Sequence, residues 1–128
     1  MDRQAFATTA APAAVGPYSQ AVAAGDFLFC SGQVHLEPAT GALVEGDITT
    51  QTERVLDNLA AVLASAGRTM ADVVKMTVFL VDINDFAAMN AVYGRYMPDP
   101  PPARTTIGVV ALPKGARVEI ELIATRAG

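Results

Sequence analysis

The chain has 128 residues, 52% hydrophobic and 17% charged, with 9 Lys and Arg against 13 Asp and Glu for a net charge of −4. That apolar content excludes a disordered chain, and the length leaves room for one core, so a single domain over 1–128 is expected. A pI near 4.7 with no basic stripe argues against nucleic-acid binding.

Mean hydropathy is high at +0.32, yet no apolar stretch approaches the roughly 18 residues that a membrane helix needs. No membrane association is expected, and the excess apolar surface is expected to meet another subunit. Met1-Asp2-Arg3-Gln4 is mixed in charge, and Thr8, Thr9, Pro12 and Gly16 break the Ala-rich run after it, so no secretory leader is read and a cytoplasmic location is expected. Cys30 is the single cysteine and His35 the single histidine, which rules out an internal disulfide, a Cys-rich zinc site and a His-based metal cage. Chemistry is expected to come from Arg, carboxylate, hydroxyl and backbone groups, with no metal.

Phe6-Ala7-Thr8-Thr9 reads as a short edge strand, and Ala21 to Ser31 as a β-hairpin turning at Gly25-Asp26. Its second arm, Phe27-Leu28-Phe29-Cys30, is apolar on both faces and both should be covered. Pro38, Gly41 and Gly46 mark a loop. Thr50-x-x-Glu53 offers a capping box for a helix whose Val55, Leu56, Leu59, Val62, Leu63 and Ala66 form one stripe, closed by Gly67 at C′. Val73 to Val81 alternates as a half-buried strand, and the strand–helix–strand order predicts a right-handed crossover.

Asn84 is the predicted cap of a second helix running to Met97, with Phe86, Met89, Tyr93, Tyr96 and Met97 on its inner stripe. Strands over Thr105–Val110 and Arg117–Thr125 follow. The pattern is α+β, a mixed sheet with two helices on one face.

In the last strand Val118, Ile120, Leu122 and Ala124 share one face, and Glu119 and Glu121 the other. Glu119 is either an ion-pair partner of Arg117 or Arg104, or a carboxylate that orients or deprotonates a water; Glu121 is a solvated or interface charge. Arg104, behind the stiff Pro100-Pro101-Pro102-Ala103 entry, is either a surface arginine or a fork that captures a small carboxylate. Ser31-Gly32 reads as a strand-ending turn, or as a place where a ligand approaches the backbone. Tyr18 and Asn90 either donate hydrogen bonds or pack, and His35 reads as a surface histidine.

Gly16-Pro17-Tyr18-Ser19-Gln20, Ser31-Gly32-Gln33, Asn84-Asp85-Phe86 with Asn90, Pro102-Ala103-Arg104, Leu112-Pro113-Lys114 and Val118-Glu119-Ile120-Glu121 together resemble the RidA/YjgF family of reactive-intermediate deaminases, in order and over nearly the whole chain. The resemblance implies a chorismate-mutase-like fold and a homotrimer with a central β-barrel, its active sites lying between subunits. It implies hydrolysis of 2-imino acids such as 2-aminoacrylate and 2-iminobutanoate to 2-oxo acids and ammonia, without a cofactor. By position Arg104 would bind the substrate carboxylate and Glu119 would hold or activate water, with Tyr18, Ser31, Gly32 and Asn90 lining the pocket. Thr105, Thr106, Val110 and a short Met97–Pro102 segment depart from the family pattern and bear on pocket shape and substrate size. A non-catalytic 2-oxo acid sensor or chaperone-like module is the second reading. Ribonuclease activity ranks last, because an acidic chain with one histidine offers no obvious acid/base pair and little phosphate-binding charge.

Overall fold

The computed structural model describes residues 2–126; residues 1, 127 and 128, the ends of the predicted domain, lie outside the described residues. The elements are β1 (Arg3–Phe6), β2 (Ala21–Ala24), β3 (Phe27–Val34), α1 (Ile48–Ser65), β4 (Val73–Leu80), α2 (Phe86–Tyr96), β5 (Ala103–Gly108) and β6 (Val118–Thr125). The strands make one sheet in the order β1-β2-β3-β6-β4-β5, with β4 and β5 parallel and the other pairs antiparallel. This is the predicted α+β architecture.

The α1 stripe is the backbone of the core. Val55, Leu56, Leu59, Val62 and Leu63 are fully buried, each contributing roughly 1.5–3 kcal/mol, against Val118, Ile120, Leu122 and Ala124 of β6 and Met76, Val78 and Leu80 of β4. Met89 and Val92 of α2 join the same cluster, so both helices cover one face of the sheet. The other face carries Phe27 and Phe29, 45% and 46% exposed, with Glu119, Glu121 and Ile123 beside them. The chain by itself therefore covers only one face of β3, not the predicted two. Gly67 ends α1 as expected: at φ 71° it donates to Ala64 O at 3.0 Å, while Arg68 N–H reaches Leu63 O at 2.9 Å.

Several local expectations are corrected. The first strand is Arg3–Phe6, because the backbone of Thr8 is bonded by the Gln20 side chain instead: Thr8 N–H donates to Oε1 at 2.7 Å and Nε2 donates to Thr8 O at 3.1 Å. Asp47, not Thr50, caps α1 by accepting from Thr50 N–H at 2.9 Å, and Glu53 pairs with Arg95. Asn84 lies inside a single 3₁₀ turn, Ile83–Asp85, whose cap is Asp82; α2 begins after it and stops at Tyr96, with Phe86 38% exposed. The strand after α2 is displaced toward the chain start, ending at Gly108 and leaving Val110 98% exposed.

His35 is not a surface residue: it is 2% exposed. The 37–46 loop folds back over it, Val44 N–H bonding His35 O at 2.8 Å, and the ring bridges two segments. Nδ1 lies 3.1 Å from Val44 O, and Nε2 accepts from Arg117 N–H at 3.0 Å, which fixes the neutral Nδ1–H tautomer. Burial pushes its pKa below the ordinary 6.5, and Arg117 adds to the shift against the raising effects of the Val44 bond and Glu45. Because the unfolded chain binds the extra proton first, this contribution to stability is complete above pH 6.5 and declines as pH falls below it. Denaturant unfolding at pH 7.5 and 5.5 is expected to show a loss for wild type that His35→Gln does not share.

Candidate functional site

The predicted site residues separate into two groups on opposite faces of the sheet. Tyr18, Ser31, Gly32 and Glu119 line one open cleft of about 920 Å³. Arg104 and Asn90 lie on the helix side: Arg104 pairs in register with the buried Met76, and its side chain runs under α2.

In the cleft, β3 does not end at Ser31-Gly32 as predicted. The strand continues to Val34 across an irregularity, the register with β6 slipping between Cys30 and Gln33. The slip turns Ser31 toward the preceding turn, where its hydroxyl donates to Ser19 O at 2.6 Å and its N–H to Gln20 O at 3.0 Å. Ser31 thus holds the Gly16–Gln20 turn and, through it, Tyr18 at the cleft wall. A side chain at position 32 would push the Glu119 carboxylate aside, so glycine there leaves the carboxylate its place in the cleft.

The Glu119 carboxylate has no hydrogen bond or ion pair among the described residues. Neither suggested ion-pair partner reaches it: Arg117 pairs with Asp85 at 3.1 Å and Arg104 bonds Asn90. Burial, and secondarily the charge of Glu121, raises its pKa. A carboxyl held this way takes and returns a proton at a pH closer to neutral than an ordinary one.

Around it, Pro12, Val15, Leu36 and Pro113 supply apolar walls and Lys114 the one cationic side chain of the cleft. In the sequence Lys114 figured only within the Leu112-Pro113-Lys114 motif, with no site role of its own; the structure seats it at φ 60° in the Pro113-Lys114-Gly115 turn.

On the other face, Arg104 Nη1 donates to Asn90 Oδ1 at 2.6 Å, and the guanidinium lies 4.6 Å from the Tyr93 ring centre and 5.5 Å from that of Phe86. Arg54, Arg95, Arg117 and Arg126 each pair with a carboxylate; Arg104 pairs with none among the described residues. Its Nε and Nη2 edge therefore presents an unneutralised fork suited to a planar anion. Asn90, predicted to line the pocket, holds this arginine. Phe86 and Tyr93, read from the sequence only as packing residues, flank it. Among the described residues no three His, Cys, Asp or Glu side chains converge as metal ligands, and no helix is long and apolar enough to cross a membrane.

The family model described as Endoribonuclease L-PSP matches residues 8–126. The chain is 53% identical over 126 residues to Protein DfrA of Myxococcus xanthus, covering 97% of this chain and 96% of that protein. It is 48% identical over 124 residues to the 2-iminobutanoate/2-iminopropanoate deaminase of Capra hircus, covering 97% and 90%. The crystal structure of RidA from an Antarctic Psychrobacter superimposes with a TM-score of 0.92 at 46% identity, over 95% of this chain and 98% of that one. With the motifs in place from Tyr18 to Glu121 and the fold matched along its length, the chain belongs to the endoribonuclease L-PSP family, the RidA/YjgF family of reactive-intermediate deaminases.

Proposed function

We propose that this protein hydrolyses 2-imino acids, and the enamines in equilibrium with them, to 2-oxo acids and ammonia. The observation that carries the reading is an arginine fork without a protein carboxylate, together with a half-buried, unpaired glutamate in a cleft. The name of the goat relative supports the same chemistry.

Arg104 and Glu119 stand on opposite faces of one sheet, so one chain does not bring them to one substrate. Copies of the chain associate through the open sheet face, as a homotrimer with a central barrel, so that Arg104 of one copy enters the cleft that holds Glu119 of the next. The uncovered Phe27 and Phe29 support that association.

Arg104 binds the substrate carboxylate side-on, fixing the C2=N carbon over Glu119. The Glu119 carboxylate takes a proton from a water as its oxygen attacks C2 and passes it to the imine nitrogen, giving a 2-amino-2-hydroxy acid. Glu119 then takes the proton of the new hydroxyl as C2=O forms and delivers it to the departing nitrogen, so the C–N bond breaks and ammonia and the 2-oxo acid leave. Positioning the water and substrate supplies most of the acceleration, since an imine carbon is already electrophilic and effective concentration alone is worth several kcal/mol. A ribonuclease reading has less support, because the one histidine is buried with both ring nitrogens engaged.

The test generates 2-aminoacrylate and 2-iminobutanoate in situ with a dehydratase and follows imine loss by semicarbazide trapping. Faster loss with the protein is the expected result. No acceleration, with 2-oxobutanoate still bound, replaces the enzyme with the 2-oxo acid binding module.

A further inference from the structure

The guanidinium of Arg104 is the only arginine head group in the described chain seated against aromatic rings. Phe86, Asn90 and Tyr93 follow one another at i, i+4 and i+7 on α2, which puts them on a single stripe facing β5. Asn90 Oδ1 takes the Nη1 donor at 2.6 Å, Tyr93 lies under the guanidinium at 4.6 Å from its ring centre, and Phe86 at 5.5 Å. Tyr93 is 6% exposed and its hydroxyl has no hydrogen-bond partner, so the ring rather than the OH makes the contact. Phe86, 38% exposed at the start of α2, has its ring against the same cation.

This seat differs in kind from those of the other arginines. A carboxylate holding Arg104 would neutralise it and compete with any anionic ligand. Two π-faces and an amide oxygen orient a cation while leaving its charge and its Nε/Nη2 edge uncommitted. On the reading of Arg104 as the substrate-carboxylate anchor, we propose that Tyr93, with Phe86, is a positioning residue: the aromatic pair fixes the Arg104 fork before substrate arrives. The consequence is selective. Loss of the rings leaves the guanidinium present but mobile, so binding of the carboxylate weakens while the proton transfers at Glu119 proceed at nearly the same rate once substrate is bound.

The experiment has a spectroscopic arm and a kinetic arm. In proton–nitrogen spectra the Arg104 Nε–H, assigned by its disappearance in Arg104→Lys, is expected to be shifted upfield by the ring currents. Tyr93→Leu is expected to remove most of that shift, and Tyr93→Phe to restore it. In kinetics, Tyr93→Leu is expected to raise KM for 2-iminobutanoate and Kd for 2-oxobutanoate about five- to tenfold with kcat within about twofold, and Tyr93→Phe to recover wild-type values. Should Tyr93→Leu not fold, Phe86→Leu at the exposed ring reads the same split, with a KM rise of about two- to threefold.

An unshifted Nε–H, a fall in kcat with KM unchanged, or a Tyr93→Phe variant as impaired as Tyr93→Leu overturns the aromatic seat while leaving the anchor role of Arg104 intact. Unchanged KM and kcat in Arg104→Ala overturns both the seat and the carboxylate-anchor reading.

Discussion

Arg104→Ala is expected to lower kcat/KM on 2-iminobutanoate by about 10²- to 10³-fold, the range found when one partner of a close charged pair is truncated. Thermal unfolding should barely move, because Arg104 bonds only Asn90 and rests on two rings, and no protein carboxylate is left unpaired when it goes. The same variant tests the geometry of the assembly. Arg104→Ala keeps Glu119 and Glu119→Gln keeps Arg104, so co-refolding the two inactive proteins is expected to recreate complete sites at about one subunit contact in four. Activity recovered on mixing places the two side chains on different copies. Two inactive proteins that co-assemble and stay inactive would show instead that one chain brings both residues to the substrate.

Glu119→Gln is expected to cost about 10²- to 10⁴-fold in kcat, the usual contribution of a positioned general acid and base. Its effect on folding runs the other way. The wild-type carboxyl has its pKa raised, chiefly by burial and then by Glu121, so the folded chain holds that proton more tightly than the unfolded one. Stability linked to this group is greatest at low pH and is lost as pH rises through the raised value. At neutral pH the neutral amide removes that penalty, and Glu119→Gln should be at least as stable as wild type in denaturant unfolding.

The activity profile carries the matching sign. On the proposed mechanism the ionised form accepts the water proton, so wild-type kcat/KM should fall on the acid side through a limb displaced above the ordinary carboxylate range. Glu121→Gln, by removing a like charge, should move that limb to lower pH. A limb that stays put in Glu121→Gln would mean that another group governs it.

Much of this arrangement was legible in the sequence where a repeating period carried it. The α1 stripe from Val55 to Leu63 and the alternation of β6 are each set by one element meeting one layer, so spacing alone assigns their faces. That placed Glu119 and Glu121 together on the face away from the helices. What escaped were features decided by distant contacts.

His35 is buried because Arg117 N–H, 82 positions along, needs an acceptor, and nothing beside His35 signals it. Asn90 bonds Arg104 across a gap of 14 residues that includes the end of α2. The irregularity in β3 breaks the period of 2 beside the cleft, so Ser31-Gly32 looks like an ending when the strand continues. The split of the site residues between two faces follows from the register of β5 on β4, which spacing within either strand does not encode.

The strand order has a further consequence for biosynthesis. β6, last of the described strands, lies in the middle of the sheet between β3 and β4. On the ribosome, β1 to β3 and β4 to β5 therefore emerge as two separate pieces, each with an inner edge whose partner has not yet been made. Until Val118–Thr125 clears the exit tunnel those edges and the apolar face of α1 have nothing to close on. The sheet can be completed only once β6 has followed the other strands out, by pairings between residues far apart in the chain. Nascent chains stalled before Val118 should accordingly be sensitive to protease across both halves, and lose that sensitivity together once β6 is released.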